Sequence, residues 1–212
     1  MRLLVIAKEP VPGKVKTRLT PPYSPAEAAA LAAAALADTL DTVVEACRRH
    51  GARPLVVLEG RPGAWLPPDV PVIDQVDGPF DERLAAAFDT ASGEPALLIG
   101  MDTPQVSAGV LVAACQALEQ ADAVFGRALD GGWWALGLRR ADGCVVRGIP
   151  TSTARTGALQ HARLRAANLT VAELPALRDV DTAADVEPVA RLAPAGRFAA
   201  AARARERVGA SR

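Results

Sequence analysis

All three lysines of the chain, Lys8, Lys14 and Lys16, fall between Ala7 and Leu19, and every other basic residue is an arginine. The segment reads Ala-Lys-Glu-Pro-Val-Pro-Gly-Lys-Val-Lys-Thr-Arg-Leu. An ammonium is a compact, strongly hydrated point charge, well suited to a phosphate oxygen, and Arg18 adds a planar donor beside it. Gly13 lets the backbone approach a ligand, and Pro10 and Pro12 stiffen the loop. These residues predict a site for a nucleotide's phosphates, contacted by Ala7, Lys8, Pro12, Gly13, Lys14, Lys16, Thr17 and Arg18. The competing reading is a solvated charged loop. Two familiar phosphate loops are excluded. Gly13-Lys14 lacks the upstream glycine and the following Ser or Thr of a Walker A loop, and no G-x-G-x-x-G is present.

Carboxylates supply the second half of such chemistry. Asp102 lies in Gly100-Met101-Asp102-Thr103-Pro104, directly after the apolar run Ala96–Ile99. A carboxylate there can hold a hard cation, Mg²⁺ or Mn²⁺, whose shell is completed by phosphate oxygens and water. A helix cap is the alternative role, but Ser107 is already available to cap the next helix. In Asp179–Asp185, Thr182 and Asp185 form a capping pair, which leaves Asp181 as a possible second cation-facing carboxylate. Asp130-Gly131-Gly132-Trp133-Trp134 reads either as a hairpin turn or as a glycine-rich wall against a sugar or base, with Asp130 accepting a hydroxyl hydrogen bond. Trp133 and Trp134 face opposite sides of a strand, so one belongs to the core and the other can stack on a ligand. Asp77–Arg83 precedes a helix whose N-terminus can host a phosphate, or whose acidic residues complement the helix dipole. His50 and His161 have no partner in sequence, so nothing supports a histidine-based nucleophile. Cys47, Cys115 and Cys144 lack metal-ligand spacing and are expected to be buried and inert.

The elements that must hold these residues follow from pattern. Short apolar runs predict strands at Leu3–Ala7, Pro54–Leu58, Ala96–Ile99, Ala123–Phe125, Trp133–Leu138 and Val171–Leu174. Helices are predicted from Pro25 to about His50, over Asp81–Ala91, from Ser107 to about Gln120, over Arg155–Asn168, after Thr182, and over Ala199–Val208. The first has the clearest signals: Ser24 and Glu27 as a capping box, Pro25 at the first position, Arg48, Arg49 and His50 at its end, and Gly51 as the stop. Alternation of strand and helix predicts a mostly parallel sheet covered on both faces. Ligands then sit beyond the carboxyl ends of the strands, which is where Lys8, Asp102 and Asp130 fall.

Composition narrows the partners. The chain has 212 residues, half of them hydrophobic and 23% charged, and one domain over 1–212 is the expectation. The formal net charge is +0, which argues against a general nucleic-acid binder. The apolar start of the chain meets Lys8-Glu9-Pro10 too soon for a signal-peptide core. No stretch is long and apolar enough to span a bilayer, so no membrane partner is expected. Unpaired cysteines fit a reduced, cytoplasmic setting. The Arg-rich end from Arg203 is the one candidate for fraying.

Taken together and in order, the motifs K-x-P-x-P-G-x-V-K-T-R-L, Asp77–Arg83, G-x-D-x-P, D-G-G-W and D-V-D-T-x-x-D resemble the DUF2064 family of GT-A-like proteins. That family is often described as glycosyltransferase-like or as nucleotide-diphospho-sugar transferases. The chain is more distantly similar to phospholactate and molybdenum-cofactor guanylyltransferases. The resemblance runs from Leu3 to about Leu192. It implies a three-layer α/β/α GT-A-like (Rossmann-like) fold with a mostly parallel mixed sheet. It implies a nucleotide on the first loop, with Lys8, Lys16 and Arg18 near the phosphates and Gly78 and Arg83 beside them. Asp102 is then the metal aspartate and Asp181 a second one, with Lys16, Arg18 and Asp102 as the catalytic set. Asp130, Gly131, Gly132 and Trp133 line the acceptor or sugar side. The chain departs from the family pattern at Gln105, where an acidic residue is common, and at Pro79-Phe80-Asp81.

Three functions are consistent with this pattern. The first is metal-dependent sugar transfer from a nucleotide-sugar to a small-molecule acceptor. The second is nucleotidyl transfer from a nucleoside triphosphate to a small phosphorylated substrate, with release of pyrophosphate. The third is non-catalytic nucleotide binding on the same fold.

Overall fold

The computed structural model describes residues 1–209, and the last three positions of the Arg-rich end lie outside the described residues. Seven strands form one sheet: β1 (Arg2–Lys8), β2 (Arg53–Glu59), β3 (Val72–Asp74), β4 (Ala96–Ile99), β5 (Ala123–Ala128), β6 (Trp133–Leu138) and β7 (Val171–Leu177). Six helices accompany them: α1 (Pro25–His50), α2 (Phe80–Asp89), α3 (Ala108–Ala117), α4 (Thr156–Ala166), α5 (Ala183–Leu192) and α6 (Arg197–Gly209). The strand order is β3-β2-β1-β4-β6-β5-β7. β6 runs antiparallel to both β4 and β5, and the other pairings are parallel. This is the expected mostly parallel mixed sheet in an α/β fold.

The pleat divides the core. Leu3, Val5, Leu97, Ile99 and Trp134 pack with α1 and α3 on one face. Leu4, Ile6, Leu98, Phe125 and Leu136 pack with α2 and α4 residues such as Phe88 and Leu164 on the other. A third cluster joins the outer side of α1 to Leu19, Tyr23, Val186 and Phe198, with α6 against α1 and α5 against α6. Alternation along each strand is the reason two cores can share one sheet.

Helix ends obey the sequence signals. Glu27 N donates to Ser24 Oγ at 3.3 Å and Ser24 N donates to Glu27 Oε2 at 2.7 Å, completing the capping box of α1. Gly51 ends the helix with φ 77°. Ser107 Oγ accepts from Val110 N at the start of α3. Asp185 accepts from Thr182 N at 2.8 Å at the start of α5. The structure adds β3, which pattern reading leaves inside a Pro/Gly loop. β3 is three residues long, at a sheet edge, and its ladder to β2 is a long-range pairing that no local period announces. β7 runs past the expected end and through Pro175, which an edge strand tolerates.

Candidate functional site

β1 lies between β2 and β4, all three parallel; the chain adds β2 and β3 on one side of β1 and then crosses to place β4 on the other. Such a reversal opens a crevice at the carboxyl ends of the strands. A cavity of about 830 Å³ lies there, lined by the loop after β1, the β4 end, the β5–β6 hairpin, residues 151–156 and residues 179–185.

The loop after β1 is pinned by its apolar residues. Val15 and Leu19 are buried, and a short 3₁₀ turn spans Thr17–Leu19. Between them Lys16 adopts a left-handed backbone, φ 48° and ψ 38°, unusual for a residue with a side chain. Its side chain, 11% exposed, turns inward, with Nζ 2.9 Å from Asp102 Oδ1 and 3.2 Å from Asp181 Oδ1. Burial works against the charge, but Asp102 and Asp181 outweigh it and hold the Lys16 pKa above the ordinary lysine value. Lys14 and Arg18 also line the cavity, are exposed, and form no ion pair among the described residues. Thr17 lines it as well.

Asp102 reaches this position because β4 ends at Ile99 and the next residues leave the sheet. Its carbonyl accepts from Val180 N at 2.9 Å, which docks the 179–181 segment beside it. Asp179 is the carboxylate that the spacing did not single out. Burial, then Asp102, Asp130 and Asp181, push its pKa up to about 8, although Lys16 opposes the shift. Its Oδ1 is buried without a hydrogen-bond partner. Among the described residues no group of three or more His, Cys, Asp or Glu stands ready to cage a metal. The donor set is instead two hard carboxylates, Asp102 and Asp181, converging on one cation. That suits a cation completed by ligand oxygens.

The β5–β6 turn matches the hairpin reading made of it. It is a hairpin, with Ala128 N donating to Gly132 O and Gly132 N donating to Asp130 Oδ1 at 2.8 Å. Asp130, Gly132 and Trp133 also line the cavity. The glycines have a further role in backbone packing. Gly157 N donates to Gly131 O at 2.8 Å. A Cβ on Gly131 (φ 94°) would lie 2.1 Å from Ala154 O, and one on Gly157 would lie 2.3 Å from Gly132 O. The hairpin therefore presses directly on the start of α4 and brings Thr151, Ser152, Thr153 and Thr156 to the cavity. Those hydroxyls escaped the sequence reading because ordinary loop composition gives no signal. Trp134 is core, its Nε1 donating to Pro175 O at 2.9 Å, while Trp133 is half-buried at the cavity.

Other candidates stand elsewhere. Lys8 lines the cavity, but its Nζ is 2.9 Å from Glu59 Oε1, and Arg83 Nη1 is 2.6 Å from Glu59 Oε2. Hydrogen bonding from Lys8, then from Arg83, holds the Glu59 pKa below its ordinary value against a desolvation penalty. Arg83 also donates to Gln75 Oε1, and Gln75 Nε2 donates to Ala7 O and Val57 O. The Lys8–Glu59–Arg83 network thus braces the ends of β1 and β2. Ala7, Pro12, Gly13, Gly78, Arg83 and Gly131 are not among the cavity-lining residues. Gln105, the departure after Pro104, donates to Arg178 O at 2.7 Å and ties the β4–α3 loop to the end of β7.

One expectation needs correction. Cys47 and Cys115 are buried, and burial pushes their pKa values to about 12 and about 11, but Cys144 is exposed because it sits on the short turn Gly143–Val145. The histidines do have partners in space: His161 Nε2 is 2.8 Å from Glu173 and His50 Nε2 is 3.9 Å from Glu119. No described helix is long and apolar enough to cross a membrane.

The chain is similar to a solved structure described as a "putative nucleotide-diphospho-sugar transferase" from Desulfovibrio desulfuricans G20. The two share 29% identity and a TM-score of 0.77, over 85% of this chain and 82% of that one. It shares the fold of CMP:2-keto-3-deoxy-manno-octonic acid synthetase, solved with CTP, at 13% identity and TM-score 0.57, over 91% and 98% of the two chains. It also shares the fold of 2-C-methyl-D-erythritol 4-phosphate cytidylyltransferase from Thermus thermophilus, at 18% identity and TM-score 0.53, over 92% and 100%. No curated protein matches it. The family model described as "Uncharacterized protein conserved in bacteria (DUF2064)" matches residues 29–153, more than half of the chain, and the chain therefore belongs to the DUF2064 family.

Proposed function

We propose that this protein is a metal-dependent transferase that takes a nucleotide-diphospho-sugar and passes the sugar to a small-molecule acceptor. The observation that carries this reading is the charge pattern of the cleft. Of the four cations between Lys8 and Arg18, Lys8 is paired with Glu59, and Lys16 with Asp102 and Asp181. Lys14 and Arg18 remain, two positive charges facing the cavity, which match the two negative charges of a nucleotide-sugar's diphosphate bridge. The similar structure from Desulfovibrio desulfuricans G20 points the same way by its description.

In this reading Lys14 and Arg18 bind the diphosphate from the open side. Their donors are held by a loop that Val15 and Leu19 anchor, so little reorganisation is needed as charge develops. Asp102 and Asp181 would hold Mg²⁺ or Mn²⁺, which when bound supplies charge neutralisation for the leaving diphosphate. Asp130 and Trp133 would position the sugar or the acceptor, with the hydroxyls of residues 151–156 around them. Nucleotidyl transfer is the second reading. It is favoured by two carboxylates meeting at one cationic position, which would hold a cation able to offset a triphosphate's charge.

A thermal-shift panel of nucleoside triphosphates and nucleotide-sugars, each with Mg²⁺ or Mn²⁺, separates these readings. A ligand at about 100 times its Kd adds about 2.7 kcal/mol. A metal-dependent shift with a nucleotide-sugar supports sugar transfer, and a shift only with triphosphates supports nucleotidyl transfer. Asp102→Ala should abolish the metal dependence and any turnover. A metal-dependent shift that survives in Asp102→Ala rules out the cation role of Asp102.

A further inference from the structure

We propose that Lys16 is a built-in stand-in for the divalent cation: its ammonium closes the Asp102–Asp181 pair in the ligand-free chain, so that a metal ion enters only together with phosphates that draw Lys16 away. The proposal rests on the metal-dependent reading above and adds an order of binding to it.

Three observations carry it. First, the ammonium stands 2.9 Å and 3.2 Å from one oxygen of each carboxylate, between the two groups that a hard cation would need. Second, Lys16 is the inward cation of its loop. Lys14 and Arg18 are exposed, and Lys8 is engaged by Glu59. The left-handed backbone at Lys16 directs the side chain inward, and buried Val15 and Leu19 hold that backbone in place. The movable part is therefore the long, unbranched side chain, not the loop. Third, an ammonium and a divalent ion on the same two oxygens repel each other at close range. With Lys16 in place one of the two carboxylate charges is cancelled, and the ammonium stands on the oxygens that a metal would take. A phosphate beside Lys14 and Arg18 would offer Lys16 another anionic partner and give the metal its missing oxygens. The device keeps a cation on the carboxylate pair and couples metal entry to substrate entry.

The test uses manganese retained with the protein on ultrafiltration, without nucleotide. Wild type is compared with Lys16→Met, Lys16→Gln, Lys16→Arg and the double variant Lys16→Met/Asp102→Asn, each checked for folding by circular dichroism. The neutral variants should retain one Mn²⁺ at least about tenfold more tightly than wild type, because affinity follows the net charge of the ligand set. Lys16→Arg should stay at the wild-type level, and the double variant should lose the gain. Adding inorganic pyrophosphate to wild type should then bring Mn²⁺ onto the protein. Equal Mn²⁺ affinity in wild type and both neutral variants would overturn the proposal. So would failure of pyrophosphate to recruit Mn²⁺, since Lys16 would then replace the metal permanently. A gain of Mn²⁺ by the neutral variants, alongside a blank nucleotide panel, would sink the nucleotide-sugar reading and leave the Lys16 contact standing.

Discussion

Gly131 shows how one missing side chain joins two parts of the cleft. Its φ of 94° is a conformation that residues with a Cβ rarely adopt, and the added atom would lie 2.1 Å from a backbone oxygen. Gly131→Ala must therefore separate the hairpin from the start of α4. The expected cost is about 1–3 kcal/mol from the backbone conformation alone, read from denaturant melts. Ligand-induced shifts should fall as well, because the 151–156 loop loses its support. A variant as stable as wild type would disprove the packing role. The motif was legible in the sequence as a turn with two glycines, but the purpose of the second contact was not, because Ala154 and Gly157 lie far along the chain. Lys16 shows the same limit. Its type and neighbours mark it as a phosphate contact, yet its partners in the structure are carboxylates. Asp179 was passed over because spacing cannot report that three other carboxylates surround it.

Strand and helix junctions carry two further predictions. Asp122 fastens the start of β5 to Thr170 just before β7. Thr170 Oγ1 and Thr170 N both donate to its Oδ2, at 2.6 Å and 2.9 Å, and Arg139 pairs with its other oxygen. The Thr170 hydroxyl, then its backbone N–H, with Arg139 also contributing, lower the Asp122 pKa in the folded chain. A lowered folded pKa means that the stabilisation is present above the unfolded value, near 3.9, and is lost as pH falls through the folded one. The stability gap between wild type and Asp122→Asn should be full at neutral pH and should narrow below about pH 4. Melting curves from about pH 3 to 7 check this, and a gap unchanged with pH would refute it. On the opposite side of the sheet from α1, Phe88 anchors α2 and is fully buried. Phe88→Ala should cost about 3–5 kcal/mol, measured by chemical denaturation. A loss under about 1 kcal/mol would mean that the site collapses around the gap. The capping of α1 and the apolar strands were readable because their signals are local. β3 and the extension of β7 past Leu174 are not, because edge pairing depends on a partner strand.

Charge is distributed so that a protein of zero net charge still presents a cationic loop. Most ion pairs among the described residues are exposed pairs that contribute little, and Lys16, at 11% exposure, is the most buried cation among them. From residue types and spacing alone came the alternating α/β plan, the lysine-bearing loop after β1, and Asp102, Asp130 and Asp181 as the carboxylates of interest. These were accessible because hydrophobic period, capping residues and loop chemistry are written in neighbouring positions. Only the tertiary structure decided that β6 runs antiparallel between β4 and β5, that Lys8 and Arg83 are both engaged by Glu59, and that Lys16 closes the gap between Asp102 and Asp181. Each of those facts depends on groups distant in sequence competing for the same partner, and such competition is settled only when the chain is packed.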